Sequence, residues 1–440
     1  MHERLVGWPG VSGLLAALLA VLLVAAMAPR VDADESVSGP AVPGVVLPLH
    51  TKGRWIMDAR DRRVKIASVN WYGAESSDFV VGGLDRQPLA RIVRLIRRSG
   101  MNSVRLPWSN ELVERNPVID PRRLAANPLL AGKRGLEVFD AVVDELGRQR
   151  LMVILDNHRS RGDWCCDEEH GDGLWHTARY PESAWLADWR AMAARYRDRP
   201  HVIGAELRNE IRPDPGLGLK PTWGSGDRRT DWRAAAERGG NAVLAVDPDL
   251  LIIVGGLDYQ ADLSGVPEHP VRLGRPGRLV YAAHDYPWFH PAGDLGDDAA
   301  FAVTLRKRWA FLLEEGKPHT SPVYVSEWGG CQRPSDDRTP CDRASTVFFD
   351  TFVRWARSSD VEWAYWPLNG TQSTGYSRRH GAIENWGILN PAWNGYANRR
   401  SLRQLRTILK PATEAIRRSP AASAARNGSP GALRQQRTLR

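Results

Sequence analysis

The chain has 440 residues, of which 42% are hydrophobic and 25% are charged, and its formal net charge is +9. This composition is that of a globular protein with enough apolar material for a large core. The positive charge comes mainly from arginines spread along the whole chain rather than gathered in one patch, which argues against a nucleic-acid partner.

The N-terminus has the features of a secretory signal. Arg4 precedes an apolar run over residues 11–28, and small residues suited to cleavage follow. We predict a signal peptide over residues 1–33, cleaved after Ala33, and a linker over residues 34–48. An uncleaved membrane anchor is the alternative, because the run is about long enough to span a bilayer. Both predict an exported protein that is secreted or associated with the cell envelope.

Export would allow the four cysteines to form disulfides. Cys331 and Cys341 bracket one loop, so a local bridge is predicted there. Cys165 and Cys166 are adjacent and could pair with each other only in a strained ring, so all three connectivities stay open. A zinc site is a weaker alternative, because adjacent cysteines do not match the usual ligand spacing.

The body of the chain alternates strand-like and helix-like segments. Strands are predicted over 64–70, 101–106, 151–155, within 201–210, 250–254, 278–283, within 322–329, and over 361–366. Helices are predicted after residue 89 up to Gly100, and over 136–149, 182–197, 231–245, 299–315, 343–358 and 399–409.

Eight such alternations predict an α/β fold: a single (β/α)8 TIM barrel over residues 49–410, with long loops on its C-terminal face. An open doubly wound sheet is the alternative, but the first strand is not followed by a Gly-rich dinucleotide loop. Residues 411–440 are basic and poor in large apolar residues, so a disordered tail is predicted.

Polar and aromatic residues gather at the predicted strand ends. The C-terminal rim of such a barrel carries its chemistry, and two opposed carboxylates there are the minimum machinery for cleaving a glycosidic bond. The content of 18 tryptophans also fits a cleft for sugar rings. Trp71 and Trp175 are weaker cleft candidates, with core packing as the alternative. The rim candidates are Arg105, His158, Asn209, Glu210, His284, Tyr286, Glu327 and Trp366.

These motifs resemble glycoside hydrolase family 5, the cellulase family of retaining β-glycosidases. The matching motifs, over about residues 65–388, are Asn209-Glu210, His284-Asp285-Tyr286 and Glu327-Trp328-Gly329, together with Arg105, His158 and Trp366. The loop with Trp164-Cys165-Cys166 resembles one branch of that family. One departure is Ile211, which stands where the family usually has proline.

The resemblance implies a role for each rim residue. Glu327 would be the nucleophile, kept ionised by Arg105 and Tyr286, and Glu210 would be the acid/base. Asn209 would bind the sugar 2-hydroxyl, His158 and His284 would orient the substrate or the acid, and Trp366 would stack on the sugar. Retention requires carboxyl groups about 5–5.5 Å apart.

The implied substrate is an oligosaccharide, a polysaccharide or another β-glycoside, such as β-glucan or β-mannan. The mechanism requires neither a metal nor a cofactor, and a monomer is expected. A calcium ion at the acidic loop 167–172 is a weaker alternative. Two other functions remain open: a catalytically silent carbohydrate-binding barrel at the cell surface, and a membrane-anchored wall protein that acts through its basic tail.

Overall fold

The computed structural model describes residues 44–166, 171–332 and 341–411. The predicted signal peptide, most of the linker, the tail from residue 412 and most of the acidic loop lie outside the described residues. Within the described ranges, the helices are too short or too polar to cross a lipid bilayer.

Parallel strands form a closed barrel in the order β10-β3-β4-β5-β6-β7-β8-β9, and a separate antiparallel pair, β1 and β2, precedes it. This confirms the predicted (β/α)8 fold. The strands are β1 (His50–Lys52), β2 (Trp55–Met57), β3 (Ala67–Asn70), β4 (Ser103–Ser109), β5 (Met152–Arg159), β6 (Val202–Glu206), β7 (Leu251–Gly255), β8 (Leu279–Asp285), β9 (Val323–Trp328) and β10 (Glu362–Tyr365).

Helices follow the barrel strands along the chain. They are α1 (Leu89–Ser99), α2 (Asn110–Arg115), α3 (Gly135–Arg148), α4 (Glu182–Tyr196), α5 (Trp232–Leu244), the one-turn α6 (Leu257–Gln260), α7 (Asp298–Arg308), α8 (Arg343–Ser359) and α9 (Arg399–Leu405). Short 3₁₀ turns occur at Pro121–Leu124, Pro128–Leu130, Pro287–Phe289, Ala310–Leu313 and Arg406–Ile408.

Alternation along the strands divides the apolar residues into two cores. On β5, Met152 and Ile154 belong to the cluster inside the barrel, while Val153 and Leu155 pack towards the helices. This is the period-2 pattern of a strand that is buried on both faces. Two residues near the N-terminus also join the inner cluster: Leu49, which precedes β1, and Ile56, which lies in β2. The β1–β2 hairpin was not predicted, because its strands have only three residues each.

Strand ends differ from the prediction where they matter for the site. β4 continues through Pro107 to Ser109, although the prediction ended at residue 106. β3 pairs with β4 only as far as Arg105, so the missing N–H of Pro107 removes no hydrogen bond on that side. β6 ends at Glu206, which places Asn209 and Glu210 on the following loop.

Candidate active site

A cavity of about 360 Å³ lies at the C-terminal ends of the barrel strands. Five of the predicted rim residues line it, namely His158, Glu210, Tyr286, Glu327 and Trp366. The other three predicted residues, Arg105, Asn209 and His284, are buried directly behind that lining. For these three, direct contact with a substrate remains a prediction.

An irregularity in β9 positions Glu327. Ala283 of β8 pairs with Val325, but the next residue, His284, pairs with Glu327, so Ser326 is one residue too many for the ladder. Such a bulge re-aims side chains. Ser326 and Glu327 both point towards the barrel axis, where Ser326 Oγ donates to Glu206 and Glu327 accepts from Arg105.

Two donors hold the Glu327 carboxylate. Arg105 Nη1 donates to Oε1 at 2.8 Å, and the Tyr286 hydroxyl donates to Oε2 at 3.0 Å. Burial raises the pKa of Tyr286 well above its usual value, so the tyrosine remains a donor. Burial also raises the pKa of Glu327, to about 7, and the positive charge of Arg105 opposes that shift. Because hydrogen bonds to the charged form favour it, these donors favour ionised Glu327.

Glu210 occupies the loop after β6 in a left-handed conformation, with φ of +47°. A non-glycine residue there stores backbone strain, which concentrates at functional sites. Its backbone N–H donates to Gln260 Oε1 at 2.7 Å, and Gln260 Nε2 donates to Glu206 at 3.0 Å. Burial raises the pKa of Glu210 to about 7, so about half of these carboxyl groups are protonated at neutral pH.

The two glutamates face each other beside His284. A carboxylate oxygen of each glutamate and a ring nitrogen of His284 all lie within 4.8 Å of one another. His284 Nδ1 is 2.9 Å from Glu210 Oε1 and 3.6 Å from Glu327 Oε2. Burial lowers the pKa of His284 to about 4, so its ring is neutral. These three atoms could hold a cation, but Arg105 already supplies a positive charge to Glu327.

Arg105 is fully buried and connects the site to the strands beneath it. Its guanidinium pairs with Asp156 at 3.1 Å, Glu206 at 2.7 Å and Glu327 at 2.8 Å. Nη2 also donates to Asn209 Oδ1 at 2.8 Å, and the Asn209 amide nitrogen lies 3.7 Å from Cys165 Sγ. One arginine therefore orients an amide and neutralises carboxylates from three strands.

Replacing Arg105 with methionine is expected to lower the free energy of unfolding by about 3–5 kcal/mol, because it leaves buried carboxylates without a counter-charge. Denaturant unfolding measures the change. Arg354→Met is the matched control, since its partner Asp298 is about 59% exposed, and a surface pair contributes less than about 1 kcal/mol. Equal losses in the two variants would contradict the proposed role of Arg105.

His158 and Trp366 form one wall of the cavity. The His158 ring stacks on Trp366 with centroids 5.6 Å apart and planes inclined by 6°. His158 Nδ1 lies 2.6 Å from Asp156 Oδ2, which fixes the orientation of the ring. Trp366 also stacks on Tyr72 at 5.3 Å. The result is a rigid aromatic surface suited to the face of a sugar ring.

Residues 57–372 match the family model of the cellulases, glycosyl hydrolase family 5. The chain belongs to this family. It is therefore a glycosidase, and the Trp-Cys-Cys loop of the resembled branch is present at residues 164–166.

Family members from bacteria and plants resemble the chain over most of its length. An endoglucanase of Paenibacillus polymyxa is 30% identical over 396 residues, which are 85% of this chain and 90% of the relative. A glycosyl hydrolase 5 family protein of Chamaecyparis obtusa is 28% identical, covering 84% and 67%. The catalytic domain of the major endoglucanase of Xanthomonas campestris pv. campestris superposes with a TM-score of 0.68 at 26% identity, covering 82% and 99%.

Sequence reasoning missed much of the lining of this family 5 cavity. Trp288 is 65% exposed and stacks on Tyr286 with centroids 4.6 Å apart. Trp288 could have been predicted as a lining residue from its position two residues after the His-Asp-Tyr motif. Trp71 and Trp175 are instead fully buried and do not line the cavity, so core packing is the correct alternative for both. The other lining residues that were not predicted are Trp164, Cys165, Cys166, Tyr259, Phe289, Arg378, Glu384, Asn385 and Trp386.

The cysteines pair locally. Cys331 bonds to Cys341, as predicted, and Cys165 bonds to its neighbour Cys166. The zinc alternative is wrong, because disulfide sulfurs are not the thiolates that bind zinc. In the acidic loop, the described residue Asp172 pairs with Arg159 and Arg208.

Proposed function

We propose that this family 5 chain hydrolyses β-glucan with retention of anomeric configuration, with Glu327 as the nucleophile and Glu210 as the acid/base. The observation that carries the proposal is the separation of the two carboxyl groups, whose nearest oxygens lie within 4.8 Å. Double displacement uses carboxyl groups about 5–5.5 Å apart, whereas an inverting pair is about 6.5–9.5 Å apart to admit a water.

In the first step, ionised Glu327 attacks the anomeric carbon while Glu210 gives its proton to the departing glycosidic oxygen. The bond from the anomeric carbon to that oxygen breaks, and an ester bond to Glu327 forms. Arg105 and Tyr286 keep Glu327 ionised before attack, and the neutral ring of His284 adds no positive charge that would draw the proton from Glu210.

In the second step, Glu210 works in the opposite direction. Esterification removes the negative charge of Glu327. This lowers the pKa of Glu210, which therefore stays ionised after giving its proton to the leaving group. It then takes a proton from a water that attacks the anomeric carbon, and Glu327 is released. Throughout, the hydrogen bond from Arg105 orients the Asn209 amide, whose nitrogen would bind the sugar 2-hydroxyl in place of its 3.7 Å contact with Cys165 Sγ.

The aromatic lining supports a glucan as the substrate. Trp366 with His158 forms one surface, and Tyr286 with the exposed Trp288 forms another. Flat aromatic faces suit the equatorial sugar rings of a β-linked chain. The relatives named as endoglucanases support the same substrate class. Export through the signal peptide predicted at residues 1–33 would bring the enzyme to such polymers.

Product stereochemistry tests the proposal. Hydrolysis of a cello-oligosaccharide, followed by proton NMR in the first minutes, is expected to give the β-anomer before mutarotation produces the α-anomer. Initial release of the α-anomer would require inversion and would overturn the assignment of Glu327 as a nucleophile.

A further inference from the structure

The Cys165–Cys166 disulfide lies against the carboxyl group of Glu210. Cys166 Sγ is 2.7 Å and Cys165 Sγ is 3.3 Å from Glu210 Oε2, and both cysteines line the cavity. Because a disulfide sulfur carries no hydrogen, neither contact is a hydrogen bond donated to the carboxyl. The two oxygens of Glu210 thus face different surroundings, with His284 beside Oε1 and sulfur beside Oε2.

Several charged and titratable groups surround Glu210 besides the disulfide, and Arg212 and Arg105 oppose the effect of burial on its pKa. Arg212, on the same loop, donates to the backbone carbonyl of Glu210 at 2.9 Å rather than to its side chain. Arg105 on β4 is held by its own carboxylate partners. The remaining groups that interact with Glu210 are Asp156 on β5, His284 on β8, Tyr286 after β8 and Glu327 on β9.

We propose that the Cys165–Cys166 disulfide is a positioning element for Glu210, which covers Oε2 with an apolar surface that cannot donate a hydrogen bond and thereby favours the protonated acid. This inference rests on the proposed function, in which Glu210 protonates the leaving group. It assigns to the Trp-Cys-Cys loop a role in acid catalysis rather than in the fold alone.

The physical reason is an asymmetry between the two protonation states. An ionised Oε2 would place its negative charge against sulfur lone pairs, without a donor and on a side chain that is only about 12% exposed, which is costly. A protonated Oε2 can donate its own hydrogen to sulfur, a weak acceptor. The contact therefore acts in the same direction as the burial that raises the pKa of Glu210.

The test replaces both cysteines with serine. In Cys165→Ser/Cys166→Ser, a hydroxyl can donate to ionised Glu210, and one hydrogen bond to a charged group is expected to move the alkaline limb of kcat/KM down by about one pH unit. Cys331→Ser/Cys341→Ser removes the other disulfide and is expected to leave that limb in place. Cys165→Ala/Cys166→Ala, which lets water reach Oε2, is expected to shift it in the same direction.

A second measurement compares substrates with different leaving groups. A disulfide that only supported the fold would not change the two rates differently. Above the pKa, a downward shift of one unit lowers the protonated fraction about tenfold, so cleavage of a cello-oligosaccharide is expected to fall about tenfold. A 2,4-dinitrophenyl β-cellobioside needs no proton on its leaving group, so its kcat/KM is expected to change less than about twofold.

Two failures are distinguishable. If the serine and alanine variants keep the wild-type limb, or lose activity equally on both substrates, the role of the disulfide is overturned and the proposed function stands. If Glu210→Gln itself keeps the alkaline limb on the cello-oligosaccharide, the assignment of the acid is wrong and the proposed function fails with it.

Discussion

Glu327→Ala is expected to lower kcat/KM on a cello-oligosaccharide by about 10⁴-fold or more, because it removes the group that forms the covalent intermediate. Glu327→Gln should be as inactive, since an amide has no negative charge to attack with. Initial rates of reducing-sugar release, measured with enough enzyme to detect residual turnover, give the size of the loss.

The structure offers a control for this substitution. Glu315 is an exposed glutamate, so Glu315→Gln makes the same chemical change away from the cavity and should retain wild-type turnover. Added azide should restore some activity to Glu327→Ala on a dinitrophenyl glycoside by attacking the anomeric carbon in place of the carboxylate, giving an α-glycosyl azide. Full turnover in Glu327→Ala without azide would contradict its role.

Replacing Glu210 with alanine is expected to have an effect that depends on the leaving group. Cleavage of a cello-oligosaccharide should fall by about 10²–10⁴-fold, because the departing oxygen then leaves without a proton. Formation of the glycosyl-enzyme from a 2,4-dinitrophenyl glycoside should fall by less than about tenfold. Rates with a series of aryl glycosides measure this dependence, and an equal loss across the series would contradict acid catalysis by Glu210.

The pH profile provides an independent check on Glu210. The acid must be protonated, and its pKa is raised to about 7 by burial. Activity of the wild type on a cello-oligosaccharide should therefore decline as the pH rises through about 7, while Glu210→Ala should lack this decline. Azide should accelerate turnover of the variant by attacking the glycosyl-enzyme, and the product should be the β-glycosyl azide.

Much of the fold could be predicted because the local sequence pattern of most segments agrees with the secondary structure that they form. In α1, Ile92, Val93 and Ile96 recur at helical spacing and are all buried, and Gly100 ends the helix with φ of +100°. The apolar runs of the barrel strands were recognised, although their ends shifted by a few residues. The β1–β2 hairpin was missed, because its short strands are stabilised by packing beneath the barrel rather than by local pattern.

The candidate site was predicted only in part, because some of its residues are positioned by the strand pattern and others by contacts between distant segments. Residues at strand ends, such as His158 and Glu327, must reach one rim once the barrel closes. The bulge at Ser326 depends on the register with β8, and the position of Trp386 depends on the path of a long loop after β10. Neither follows from neighbours in the sequence. The contact of the adjacent cysteines with Glu210 likewise requires two distant loops to meet.

The most direct test of the central claim is to trap the intermediate on the wild-type enzyme. Incubation with 2,4-dinitrophenyl 2-deoxy-2-fluoro-β-cellobioside, followed by proteolysis and tandem mass spectrometry, is expected to show one fluorosugar bonded to the side chain of Glu327. The loss of activity should follow the rise of that adduct one to one. Stable labelling of any other residue, or steady turnover with no adduct in an enzyme that inverts configuration, would contradict the account.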